Sequence, residues 1–108
     1  MEVEGIWFDF LVSGIKPIEG RKKSPQWENV KVGQEIEVTK KETREIRIFR
    51  VTHVNEYENL REYLEKEGLH RCLPEVDSIE EGIKIYQQWS SAEELTKYKF
   101  LAIGMRVI

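Results

Sequence analysis

Apolar positions along the chain change period several times, and each change marks an element. Ile6, Trp7, Phe10 and Leu11 recur at i, i+1, i+4 and i+5, the spacing of one helical face. Gly14 is placed to stop that helix, because glycine takes up the left-handed backbone that a helix end needs. Pro17 then bars helix and favours extended backbone before it, so residues 16–21 are expected to form a short strand or extended loop. Val32-Gly33 reads as a turn. Ile36 and Val38 alternate with Glu35, Glu37 and Thr39, a half-buried strand. Lys40 to Glu45 is polar and makes the connection to a second long strand, Ile46 to Val54. There Ile46 and Ile48 share one parity while Phe49 and Val51 share the other, so a bulge or two-sided burial is expected near Phe49.

The period then returns to that of a helix. Leu60, Tyr63 and Leu64 fall on one face between Glu58 and Glu67, with Gly68 as the stop. Residues 69–77, with Pro74, read as a loop. Ser78 and Glu81 have the spacing of a capping box, opening a helix with Ile79, Ile83 and Tyr86 on its inner stripe. Ser91 and Glu94 repeat the spacing for a last helical turn holding Leu95. Phe100 to Ile108 is short and nearly all apolar, which predicts a buried closing strand. Consecutive strands joined by hairpin-length connections point to an α+β chain: a small antiparallel or mixed curled sheet or barrel with flanking helices.

Composition bounds this picture. The 108 residues are 40% hydrophobic, enough for one compact domain over residues 1–108. Cys72 is the only cysteine and His53 and His70 the only histidines. No intramolecular disulfide is possible, no zinc-ligand spacing exists, and neither a metal nor a cofactor is expected. Neither histidine has a recognisable partner, and Cys72 reads as a small buried residue. No apolar run approaches the roughly 18 residues of a membrane span. Glu2 and Glu4 stand where a secretory leader would carry cations. A soluble, cytoplasmic protein with no membrane partner is the expectation.

Net charge is −3, which argues against indiscriminate nucleic-acid binding. Its distribution is uneven. Lys16, Arg21, Lys22, Lys23 and Lys31 cluster early, Lys40, Lys41, Arg44, Arg47 and Arg50 follow, and Glu56 to Glu94 is acidic almost throughout. A fold that joins the two basic stretches would carry one positive face.

The segment Gly14 to Arg21 reads G-I-K-P-I-E-G-R. It resembles the G-x-K-x-x-E-x-R motif of the activating-signal-cointegrator homology (ASCH) domain, with Gly14, Lys16, Glu19 and Arg21 in the four motif positions. Further ordered similarities lie at Val32-Gly33-Gln34, at Tyr57-Glu58-Asn59-Leu60 through Gly68, at Leu73-Pro74 and at Ser78-Ile79-Glu80-Glu81. Together they span roughly residues 5–108. The resemblance implies a PUA-like β-barrel with a cleft and a role in binding RNA or a nucleotide.

The residue chemistry fits that implication. Arg21 suits a phosphate or a base face, and Lys16 is a point charge for phosphate. Glu19 accepts hydrogen bonds from an exocyclic amine or a ribose hydroxyl. On extended backbone Glu19 and Arg21 share a face, whereas Lys16 has the opposite parity to Glu19. Lys22, Lys23, Trp27 and Trp89 complete the expected ligand-binding set, the tryptophans as stacking surfaces. Tyr86 and Trp7 are expected in the core.

The alternative is a hydrolase. Some ASCH-like proteins are amidohydrolases on acetylated cytidine, with a threonine where this chain has Glu19, and others are linked to RNA cleavage. In that reading Lys16 and Glu19 are catalytic, Glu19 activating water and Lys16 stabilising an oxyanion, with Glu75 as a second carboxylate. The missing threonine moves the balance towards binding. A protein-interaction adaptor with an idle cleft is the third reading.

Overall fold

The computed structural model describes residues 1–108. Its elements run β1 (Glu2–Val3), α1 (Gly5–Ser13), β2 (Ile18–Lys22), β3 (Glu35–Lys40), β4 (Ile46–Tyr57), α2 (Leu60–Glu67), α3 (Leu69–Cys72), α4 (Ile79–Gln87), α5 (Ala92–Lys97) and β5 (Phe100–Val107). The strands form one curled half-barrel sheet in the order β1-β3-β4-β5-β2. The β1–β3 pair is parallel and every other pair antiparallel. The α+β architecture expected from the strand and helix periods is the one observed.

Strand β5 explains why the chain's end is apolar at successive positions. Phe100 and Ala102 enter one core with Tyr63, Leu64, Leu73 and Tyr86. Leu101, Ile103 and Met105 enter a second core with Phe8, Val38, Phe49 and Val51. A strand covered on both faces cannot show the polar–apolar alternation of a half-exposed one.

Local signals account for most element ends. Gly14 adopts φ 83° and its N–H closes α1 on the Leu11 carbonyl. Asn59, Ser78 and Ser91 each accept a hydrogen bond from the amide three residues on, at Glu62, Glu81 and Glu94, satisfying one free amide of each helix start. The first amide of α1 has no local cap and instead donates to the Glu42 carboxylate, at 2.9 and 3.0 Å.

Three expectations need correction, and one element went unread. The inner face of α1 carries Phe8 and Leu11, while Ile6 is 51% exposed. Ile46 and Ile48 lie on the outer face of β4, and the register shift falls later, between Val51 and His53. Part of the expected 69–77 loop winds into α3. The two-residue strand β1 was too short to show a period. No helix is long and apolar enough to cross a membrane.

Candidate functional site

A hollow of about 300 Å³ opens where edge strand β2 meets the start of α1 and the end of α4. From β2 and the residues before it come Lys16, Glu19, Arg21 and Lys22. Trp7, Tyr86 and Trp89 supply aromatic walls.

The path of the chain into β2 sets this arrangement. After Gly14 the backbone straightens, and the Pro17 carbonyl accepts the Met105 amide at 2.9 Å. Strand β2 then begins at Ile18, so Lys16 precedes the strand and is free of its alternation. Lys16 turns inward and is 2% exposed. Its ammonium donates to the Ile18 carbonyl at 2.8 Å and to the Cys72 carbonyl. It also stands 3.8 Å from Glu19 Oε1 and 6.0 Å from the Trp7 ring centroid. The lysine expected as a point charge for phosphate is therefore a buried anchor. Burial holds its pKa below the ordinary lysine value, with Glu19 opposing the shift.

Glu19 is nearly buried as well. One carboxylate oxygen accepts the Gly20 amide at 3.0 Å, and the other lies 3.7 Å from the Arg21 guanidinium. Arg21 rests over Trp27, with 5.6 Å between the guanidinium carbon and the ring centroid, within cation–π range. Its Nε is shielded from solvent and has no hydrogen-bond partner.

The aromatic wall is held by core packing. Tyr86 meets Phe100 and Trp89 edge to face, at 5.4 and 5.5 Å between centroids. Burial raises the Tyr86 phenol above its usual range, so it presents a hydroxyl. Trp89 remains 48% exposed at the mouth, and its indole N–H donates to Glu4 at 3.2 Å. Gly20 is required beneath the hollow. A Cβ there would stand 2.6 Å from Tyr63 and 2.7 Å from Phe100.

Of the residues expected from the sequence, Lys16, Glu19, Arg21, Lys22 and Trp89 line the hollow. Lys22 is engaged by Glu94 at 2.9 Å. Lys23 lies outside and pairs with Glu56. Trp27 also lies outside; packed against the second core, it forms a shelf behind Arg21 rather than an exposed stacking surface. Glu75 is exposed, at φ 70°, and does not reach the hollow. Tyr86 and Trp7, read as core, both contribute to its walls.

Glu2, Glu4 and Lys41 are lining residues that periodicity did not reveal. With them the lining carries Lys16, Arg21, Lys22 and Lys41 against Glu2, Glu4 and Glu19. The cleft is thus mixed in charge rather than basic throughout. The two basic stretches meet only in part, through Lys41 opposite the β2 residues.

The family model for the ASCH domain matches residues 1–107. The chain belongs to the ASCH domain family. Two solved structures share its fold across its whole length. The crystal structure of hypothetical protein PH0355 has a TM-score of 0.85 and 31% identity, with all of each chain covered. The solution structure of protein PF0455 from Pyrococcus furiosus has a TM-score of 0.76 and 32% identity, covering 100% of this chain and 98% of that one. No curated protein matches this chain. The ASCH motif residues Lys16, Glu19 and Arg21 are those that converge at the hollow, with Gly14 ending the helix before them.

Elsewhere in this ASCH chain, His53 has a partner that sequence spacing did not disclose. Its Nε2 lies 3.8 Å from the buried Glu67 carboxylate, which also accepts from Asn55 and Tyr57. Burial opposes the Glu67 charge, but hydrogen bonds from Tyr57 and Asn55 outweigh it, and the carboxyl sits below its ordinary range. No group of three or more His, Cys, Asp or Glu side chains converges in a metal-binding arrangement.

Proposed function

We propose that this ASCH domain binds single-stranded RNA, taking one nucleotide into the hollow beside Glu19 and Arg21. The observation that carries the reading is the Arg21 Nε–H, a buried donor with no acceptor at a hollow lined by its own guanidinium and four aromatic side chains. An unpaired buried donor is costly, and the Arg21 side chain, 30% exposed, has to turn towards the hollow for a ligand oxygen to satisfy it. Trp89 at the mouth offers a face for base stacking, worth about 1–3 kcal/mol per base. Lys22 and Lys41 supply positive charge for phosphate, while Glu19 accepts from an amine or a ribose hydroxyl.

The hydrolase alternative rests on Lys16 and Glu19 and has less support. Lys16 commits N–H groups to two backbone carbonyls and stands beside Glu19, which leaves its ammonium at most one N–H for an oxyanion. Glu75 supplies no second carboxylate at the hollow. The binding reading is tested by titrating labelled oligoribonucleotides against the parent and Arg21→Ala at two salt concentrations. Binding that falls with salt and is lost in the variant is expected; equal binding by both proteins overturns the assignment.

A further inference from the structure

A second groove borders the same segment between α1 and β2. Gly14 and Pro17 line it, whereas Lys16 lines the first hollow. Its volume is about 520 Å³, and its polar lining includes Thr52, His53, Arg71 and Arg106 with no acidic residue. One carboxylate, Glu67, stands 3.8 Å from His53 and within the electrostatic reach of Arg71, and is held by Asn55 and Tyr57.

Three features mark this groove as more than solvated surface. First, Arg21, Arg44, Arg50 and Arg61 each hold a carboxylate within 4.0 Å. Arg71 and Arg106 are among the remaining three arginines, and both face this groove. Neither donates to a carbonyl at the end of α1, so helix capping does not explain them. Second, Arg106 stands directly opposite Arg50 across β4 and β5. Like charges in that position destabilise a sheet, and Glu35 compensates only Arg50. Third, the β4 bulge and Gly104 shape the floor together. The bulge leaves Thr52 unpaired between Val51 and His53, and a Cβ on Gly104 would collide with the His53 ring and the Thr52 hydroxyl.

We infer that this groove holds the phosphodiester backbone of single-stranded RNA, with Arg71 and Arg106 contacting phosphate and Thr52 offering a hydroxyl. Arginine's planar fork suits phosphate oxygens, and the groove shows no base-sized aromatic wall. Its readout is therefore charge and backbone, without base preference. The inference goes beyond the nucleotide-binding cleft and can stand if that cleft is idle.

The test uses the isotope-labelled full chain, titrated separately with uridine monophosphate and with oligouridylate of about 12 nucleotides, within the site sizes of small single-strand-binding folds. Oligouridylate is expected to shift the amides of Thr52, His53 and Arg71. The monophosphate is expected to shift only Glu19 to Lys22. Groove shifts without cleft shifts would sustain this inference while overturning the cleft reading; cleft shifts alone would do the reverse. In parallel, Arg71→Ala/Arg106→Ala is expected to weaken oligouridylate binding about tenfold at low salt. It should also flatten the logarithmic salt slope by about 1.4, two phosphate contacts at about 0.7 each. The control Arg61→Ala should leave both unchanged. Parent-like affinity and slope in the double variant would refute the proposal, as would a groove that answers to inorganic polyphosphate but not to oligouridylate.

Discussion

Lys16 Nζ stands 3.8 Å from Glu19 Oε1 where neither side chain keeps a tenth of its surface in water. Two charges withdrawn from solvent to this degree are costly unless each is matched. Here the ammonium is matched by the Ile18 and Cys72 carbonyls as well as by Glu19, and the carboxylate by the Gly20 amide and Arg21. The pair fixes where Glu19 stands, and so where Arg21 is pulled.

Lys16→Met should therefore destabilise the protein, by about 3–5 kcal/mol, because it strands a buried carboxylate and two carbonyls. Lys16→Met/Glu19→Gln should cost less than the sum of the single changes, since the partners are coupled. Denaturant unfolding of the four proteins checks this, and strict additivity would contradict it.

Arg21→Lys separates charge from shape. The variant keeps a cation but loses the Nε–H and the planar stack on Trp27. RNA affinity should drop about tenfold or more, given about 1.5–3 kcal/mol for a charge-assisted hydrogen bond. Fluorescence anisotropy at fixed salt reads the effect, and full retention by lysine would mean that charge alone is recognised.

Gly20→Ala should destabilise by about 1–3 kcal/mol through overpacking against Tyr63 and Phe100. Thermal unfolding measures it, and a parent-like midpoint would show that the two rings can yield.

Glu67 gives stability an acid limb. Its folded pKa lies below the ordinary carboxylate value of 4.5, so the unfolded chain binds the proton first. The contribution is complete above the unfolded pKa and is lost as pH falls through the folded one. Glu67→Gln should flatten unfolding free energy against pH between about 5 and 3, where unperturbed carboxylates titrate. An unchanged slope would remove Glu67 from the account. Tyr57, pushed up to about 12 by its bond to Glu67, should not ionise at neutral pH.

Cys72 is buried, and burial pushes its thiol up to about 11. Alkylation at neutral pH should be slow in the folded protein and fast in denaturant, as mass spectrometry over time can follow. Rapid native labelling would show that the α3 turn opens.

Much of this fold was readable in the sequence because its signals are local. Gly14 and Gly68 stop helices, Ser78 and Ser91 start them, and Ile36 and Val38 alternate. Lys16 was misread for a related reason: strand parity governs a side chain only inside a strand, and Lys16 precedes one. Its carbonyl partner at Cys72 belongs to a distant turn, which no spacing reveals. Trp27 was expected at the surface because it follows a polar loop, yet the second core draws it in behind Arg21. Glu2 and Glu4 reach the cleft only through a two-residue parallel pairing, too brief for a periodic signature.

The pairing of β2 with β5 joins opposite ends of the chain, Ile18 against Gly104 and Lys22 against Phe100. Closing so long a loop is slow, because its entropy is lost before the contacts can repay it. The hairpin of β3 and β4 can form from neighbours, but Glu19 and Arg21 cannot take their places until β5 has arrived. Ligand binding should therefore be among the last properties regained on refolding. A chain shortened before Phe100 loses a strand common to both cores and should lose the cleft with it.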